Sequence, residues 1–214
     1  MKDAQGDPAY GRTNWRRFAV AVGVPTVVAG AMVFGLANGA FAASFSISGQ
    51  AFKISADRLE GDGFAQYSGQ ETVANPKAGS PPLVVAKSGI HHATLTNLCQ
   101  SVHPKGSPVS LTINAGGTAG KPAEADDLLI GLTELSGDAT FTDINIGTDA
   151  ADLKLGGPDA HAGATGGFGQ EAKKVVITDL RQTAYSTTAA TFTLRGLSLK
   201  INTDFATGKP KECF

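Results

Sequence analysis

Phe141-Thr142-Asp143-Ile144 has the composition of a strand but breaks the period that a flat strand requires. Side chains alternate between the two faces of a strand, so apolar residues three apart fall on opposite sides. The same apolar-Thr-Asn/Asp-apolar pattern recurs at Leu95-Thr96-Asn97-Leu98 and at Ile177-Thr178-Asp179-Leu180. Phase switches surround these motifs. Ala139 and Phe141 share one phase, whereas Ile144 and Ile146 take the other; Phe192 and Leu194 give way to Leu197, Leu199 and Ile201 around Gly196. Each switch requires a bulge or bend that turns the inward face of the strand. Long, repeatedly bent strands predict an all-β fold, either an antiparallel sandwich or a curled sheet. The alternative is a β-solenoid, but the motif starts at residues 95, 141 and 177, and that uneven spacing weighs against a steady coil length.

Working outward, period-two runs mark further strands at 44–48, 52–56, 64–67, 83–86 and 90–102, with a polar turn at 57–63 and a loop at 68–82. A tight loop is expected at His103–Pro108 and a Gly/Pro linker at Gly116–Ala125. Between them, Val109, Leu111 and Ile113 alternate with Ser110, Thr112 and Asn114, the pattern of a half-buried strand. Two hairpins are predicted, turning at Ser136-Gly137 and at Ser186-Thr187-Thr188. Thr148–Gln170 is so rich in Gly, Ala and Asp that it predicts a flexible loop with little to bury.

The N-terminus carries a different signal. Arg12, Arg16 and Arg17 precede an apolar run from Phe18 to Leu36, and Ala40-Phe41-Ala42 has the small-x-small form of a signal-peptidase site. The expected organisation is a signal peptide over 1–42 and a single β-rich domain over 43–214. An uncleaved anchor helix is the alternative, since the run approaches a spanning length. No cysteine follows the run, and the chain closes on Glu212-Cys213-Phe214 without a hydrophobic tail. The expected location is therefore extracellular or in the cell envelope, membrane-anchored if the segment is retained.

Removing 1–42 leaves 172 residues with fourteen basic and seventeen acidic side chains. That balance excludes a nucleic-acid interface, and no Lys/Arg run suggests an anionic headgroup site. Sparse charge with abundant Thr and Gly fits a sheet protein. Cys99 and Cys213 are the only cysteines, and an even count in an exported chain predicts their pairing, with free thiols or an intermolecular bridge as alternatives.

Catalytic patterns are absent from the sequence. No Gly-x-Ser-x-Gly exists; Ser48-Gly49 and Ser136-Gly137 sit in turns with no helix behind them. No His-Glu-x-x-His occurs, and Gly163–Gly169 follows no strand that would make it a phosphate loop. His91 and His92 are adjacent and would face opposite ways on a strand, so one ion could not readily take both, and neither His103 nor His161 supplies ligand spacing. Asp126-Asp127 and the acids of 148–159 lack the spacing of a calcium loop. No metal or cofactor is expected. Phe45, Phe52, Phe64, Phe141 and Phe192 take inward phases. They form a core if the sheet closes and line an apolar groove for a lipid if it stays open.

Several stretches resemble an uncharacterised family of exported proteins from high-GC Gram-positive bacteria, whose members are often labelled cholesterol esterases. They include Trp15-Arg16-Arg17-Phe18, Phe52-Lys53-Ile54-Ser55-Ala56-Asp57-Arg58-Leu59, Asn97-Leu98-Cys99-Gln100-Ser101-Val102, Arg181-Gln182-Thr183-Ala184 and Glu212-Cys213-Phe214. The resemblance supplies no catalytic residues and implies a small membrane protein as partner. The leading functional reading is a non-enzymatic secreted or envelope β-domain that binds a ligand such as a lipid, or a membrane partner. A lipid-ester hydrolase and a surface protein self-assembling through sheet edges are the alternatives. Neither ligand nor oligomeric state is legible.

Overall fold

A computed structural model describes residues 49–73, 81–161 and 163–214. It is all-β and antiparallel. The strands are β1 (Phe52–Glu71), β2 (Leu83–Thr96), β3 (Leu98–Val102), β4 (Val109–Ala115), β5 (Ala123–Asp149), β6 (Phe168–Thr188), β7 (Thr191–Thr193) and β8 (Ser198–Thr203). All eight belong to one sheet ordered β2-β5-β6-β1-β3-β4-β8, with β7 on β5 and an additional β2–β1 pairing. That last pairing closes β1, β2, β5 and β6 into a cycle. The cycle is strongly staggered. Ser68 on β1 pairs with Ala86, Ala86 with Leu132, Leu132 with Ala184, and Ala184 with Phe52, far back along β1. A stagger of this size tilts strands steeply, which is why β1, β5 and β6 must be long.

The bends fall where the repeated motif places them. Asn97, Asp143 and Asp179 have φ of 54°, 53° and 52°. This left-handed region is costly for most L-residues but accessible to Asn and Asp. Asp127 (φ 49°) and Gly63 (φ 70°) do the same. The bends align across strands. Asp127, His91, Gly63, Lys173 and Asp143 lie opposite one another in one transverse row, and Asn97, Asp57 and Asp179 in another. The sheet thus folds along two lines. Polar partners bridge each line on the outside: His91 to Asp127 at 2.7 Å, Lys173 to Asp143 at 2.9 Å, and Asn97 to Asp57 at 3.2 Å.

Several expected turns are instead strand interior. Residues 57–63 continue within β1, bending at Gly63, because β2 and β6 pair with it on both sides. Ser136-Gly137 is a bulge within β5, marked by φ 147° at Gly137 and a register shift between Ser136 and Asp138. Beyond Thr188 the chain does not return along β6: β7 pairs with β5 and β8 with β4. Both predicted hairpins are therefore absent, since uninterrupted partners keep β5 and β6 extended through sequences that would otherwise turn. The segment 148–170 also buries more than its composition suggests. It forms 3-10 turns at Ala150–Asp152 and Pro158–His161, and Ala150, Leu153 and Ala160 pack with Ala65 and Tyr67 in a small second core. Small residues suffice there because the backbone approaches closely. The expected strand at 44–48 and the N-terminal signal or anchor helix lie outside the described residues.

The main core fills the cycle. Val175, Leu180, Leu59, Ile90 and Leu128 are essentially inaccessible. Each aliphatic side chain of this size contributes about 1.5–3 kcal/mol on burial.

Candidate functional site

The three strands β3, β4 and β8 extend from the cycle as a sheet with two unlike faces. Their alternation is the one read from Val109–Asn114, but the burial is inverted. Ser101 and Ser110 are each 1% exposed and Thr112 is 5% exposed. Leu111 and Ile113 remain half-exposed, and their partners on β8, Ile201 and Leu199, are 62% and 57% exposed. The half-buried strand read at Val109–Asn114 is present as β4, with the hydroxyl phase as its covered side.

The cause is the C-terminal tail. Cys99 and Cys213 form a disulfide with Cα atoms 5.8 Å apart, closing a separation of 114 residues. This holds residues 210–214 over the hydroxyl face. The Cys213 N–H donates to Ser101 Oγ at 3.1 Å, Ser110 donates its hydroxyl to the Lys211 carbonyl, and Asn202 bridges Thr112 and Lys211. An irregular segment carries unpaired main-chain groups, so a bed of hydroxyls suits it better than aliphatic side chains. Lys53 fastens the end: it donates to Glu212 at 3.2 Å and to the Phe214 main-chain oxygen at 2.7 Å, and lies 5.2 Å from the Phe214 ring centroid. Arg181 lies 5.7 Å from the same centroid, giving the ring two cationic neighbours.

The opposite, aliphatic face opens on a groove. Phe52, Val102, Leu111, Ile113 and Tyr185 line a depression of about 350 Å³, which Gly49 enters from the N-terminal side. A second depression of about 330 Å³ shares Gly49, Phe52 and Tyr185 and is rimmed by Lys53, His103, Lys105 and Glu212. Each lies at the small end of ligand-pocket sizes; the first adds Gln100, Ser186 and Thr187 to its apolar residues, and the second is lined mostly by polar side chains. His103 Nε2 donates to the Ser107 carbonyl at 2.7 Å, and its Nδ1 lies 3.6 Å from Glu212.

Glu71, at the end of β1, lies over Gly131 in the phase opposite the main core. It accepts hydrogen bonds from Lys87 and Ser186, which flank Gly131 in the register. A Cβ at residue 131 would collide with the Glu71 carboxylate and the Ser186 hydroxyl, so glycine leaves room for the knot. Burial pushes the Glu71 carboxyl up, but the bonds from Lys87 and Ser186 outweigh it and hold it below the ordinary range. On the surface beyond β8, Asp204 is likewise held low, by the Thr207 hydroxyl and by the Thr207 and Ala206 N–H groups.

The phenylalanines singled out from sequence part company. Phe64 is 4% exposed and packs on Phe141 with centroids 5.4 Å apart, so this pair belongs to the core and not to a groove. Phe52 lines both depressions, Phe192 is 38% exposed on β7, and Phe45 lies outside the described residues. The groove residues Leu111, Ile113 and Tyr185 escaped sequence reading, because alternation marks an apolar face without saying whether anything covers it. His91 and His92 bind Asp127 and Asp126, each at 2.7 Å, and neither partner is a serine hydroxyl. Ser136 donates to the Arg181 carbonyl at 3.4 Å on an exposed strand. Among the described residues no cluster of three His, Cys, Asp or Glu is placed to hold a metal ion.

These features define a disulfide-tied, all-β domain whose extension covers its polar face and leaves its aliphatic face open. The chain belongs to DUF6230, a family of unknown function, whose model matches residues 48–214. No curated protein and no solved structure matches the chain.

Proposed function

We propose that this is a non-catalytic binding domain of the exterior or cell envelope, which holds the apolar chain of a lipid along the open face of β3, β4 and β8. The observation that carries the reading is the inverted burial of that extension. A sheet face of Leu and Ile exposed to water while Ser and Thr are covered wastes hydrophobic free energy, unless an apolar ligand supplies the missing contact. The groove at Phe52 and Tyr185 gives such a chain a channel, and Lys105 on the rim of the adjoining depression offers a cation to an anionic headgroup. The disulfide supports an oxidising location.

The test is photocrosslinking of a diazirine-bearing fatty acid to the full chain in expressing cells. Adducts are expected on the peptides carrying Leu111, Ile113 and Tyr185, with Ile113→Glu lowering their yield at least tenfold. Adducts confined to other strands, or a yield unchanged by Ile113→Glu, would overturn the assignment.

A further inference from the structure

β5 outlasts its neighbour on one side. β2 pairs with it from Ala123 to Leu132, whereas β6 pairs with it from Leu129 to Asp149. Beyond Leu132 the strand therefore has β6 on one side and, among the described residues, an open edge on the other. Thr133–Thr140 is exposed in both phases. β8 is a second open edge, with β4 on one side and no described strand on the other. These two edges end one run of the sheet, β5-β6-β1-β3-β4-β8, in which every step is antiparallel. Six strands are an even number, so β8 runs opposite to β5. A second copy in the same orientation would thus set its β5 antiparallel to β8 and continue the sheet without a break in its pattern.

The two edges also match in chemistry. Ala139 and Phe141 of β5 lie opposite the buried Ile177 and Val175, so they and Leu135 form its inward phase, with Glu134 and Asp138 in the outward one. From Thr133 to Asp149 the strand carries acids but no Lys or Arg. Asp143 is bridged by Lys173, and Asp149 accepts the Ala151 and Gly166 N–H groups, which leaves Glu134 and Asp138 uncommitted among the described residues. In β8, Leu199 and Ile201 continue the aliphatic phase, and Lys200 stands exposed in the other. Charges of one sign keep two sheet edges apart, whereas these edges carry opposite signs. Either edge paired with its own copy would meet only its own sign. Because β2 holds the β5 edge as far as Leu132, a strand as long as β8 fits beside Leu135–Thr140. An antiparallel register with Lys200 opposite Asp138 sets Leu199 opposite Ala139 and, just before β8, Leu197 opposite Phe141. Each of these pairs keeps its phase, as a buried sheet face requires. We infer that β8 of one copy pairs with the Leu135–Thr140 edge of β5 in the next, joining second copies of this chain head to tail. Such a contact uses different surfaces on its two sides, so it repeats into a ring or a filament. It leaves the open face of β3, β4 and β8 free and does not rest on the lipid-binding reading.

The experiment places Ala139→Cys and Leu199→Cys together in the full chain, oxidises expressing cells with copper phenanthroline and resolves the protein on a non-reducing gel. Opposed Cα atoms of an antiparallel pair lie about 4.5–5.5 Å apart, within disulfide reach. A ladder of dimer, trimer and larger species is expected, collapsing to monomer on reduction. Lys200→Glu in that background should cut the species above monomer at least fivefold. Asp138→Lys added to it should restore them, because the ion pair is then reversed and not lost. No ladder, a ladder that Lys200→Glu leaves unchanged, or a loss that Asp138→Lys does not restore overturns the pairing. So does a dimer from either cysteine alone, since Ala139→Cys would then report β5 on β5, and Leu199→Cys would report β8 on β8.

Discussion

The cycle of β1, β2, β5 and β6 and the extension of β3, β4 and β8 use the same alternating sequence grammar to opposite ends. In the cycle, the aliphatic phase points inward, and Val175 and Leu180 are sealed at 0% and 1% exposure. In the extension, Ser101, Ser110 and Thr112 of the hydroxyl phase are buried, whereas Leu199 and Ile201 of the aliphatic phase meet water, with Leu199 at 57%. The cycle closes on itself, so burial there stabilises the fold. The extension leaves its aliphatic face without a layer of its own, so burial there awaits a second molecule. Apolar patterning is therefore evidence of stability in one half of the molecule and of contact in the other.

The largest expected effect comes from cutting the tether that inverts the extension. Cys99→Ser with Cys213→Ser removes a loop constraint worth about 4–5 kcal/mol in the chain-entropy treatment. Urea unfolding should register most of that loss, and amide exchange at β3 and β4 should rise more than at β6. Uniform exchange across all strands would mean that the tail does not distinguish the two regions.

A smaller effect compares one leucine from each region. Leu180→Ala opens a cavity in the cycle and should cost about 3 kcal/mol. Leu199→Ala removes an exposed side chain and should stay within about 0.5 kcal/mol. Equal costs in thermal or urea unfolding would erase the proposed division of labour.

The smallest concerns the bends that shape the cycle. Asp179→Val places a β-branched residue at φ 52° and should cost about 1–2 kcal/mol. Asp179→Gly should cost less than Asp179→Val, because glycine carries no Cβ into that conformation. Stability that falls further with glycine than with valine would show that Asp179 acts through its carboxylate and not through its backbone.

Much of the cycle was legible in advance, for reasons that can be traced residue by residue. The Thr-Asn/Asp steps at 97, 143 and 179 each announced a bend, and each adopts positive φ. The turns misread at Ser136-Gly137 and Ser186-Thr187-Thr188 show the limit of local signals. A Ser-Gly pair favours a turn only where no partner strand holds it extended, and β6 holds β5 through that point. The groove was less legible. The inward phase shared by Phe52, Phe64 and Phe141 fits either a core or a groove; Phe52 lines the depressions, whereas Phe64 and Phe141 pack together in the core.

By itself, the sequence determined the strand-rich character, the bend positions and the pairing of its two cysteines, because each depends on local stereochemistry or on residue type. Only the tertiary structure decided which face of β3, β4 and β8 is covered. Alternation divides a strand into two faces but carries no label for water. That label is written by what packs on each face, here a tail arriving from more than a hundred residues away.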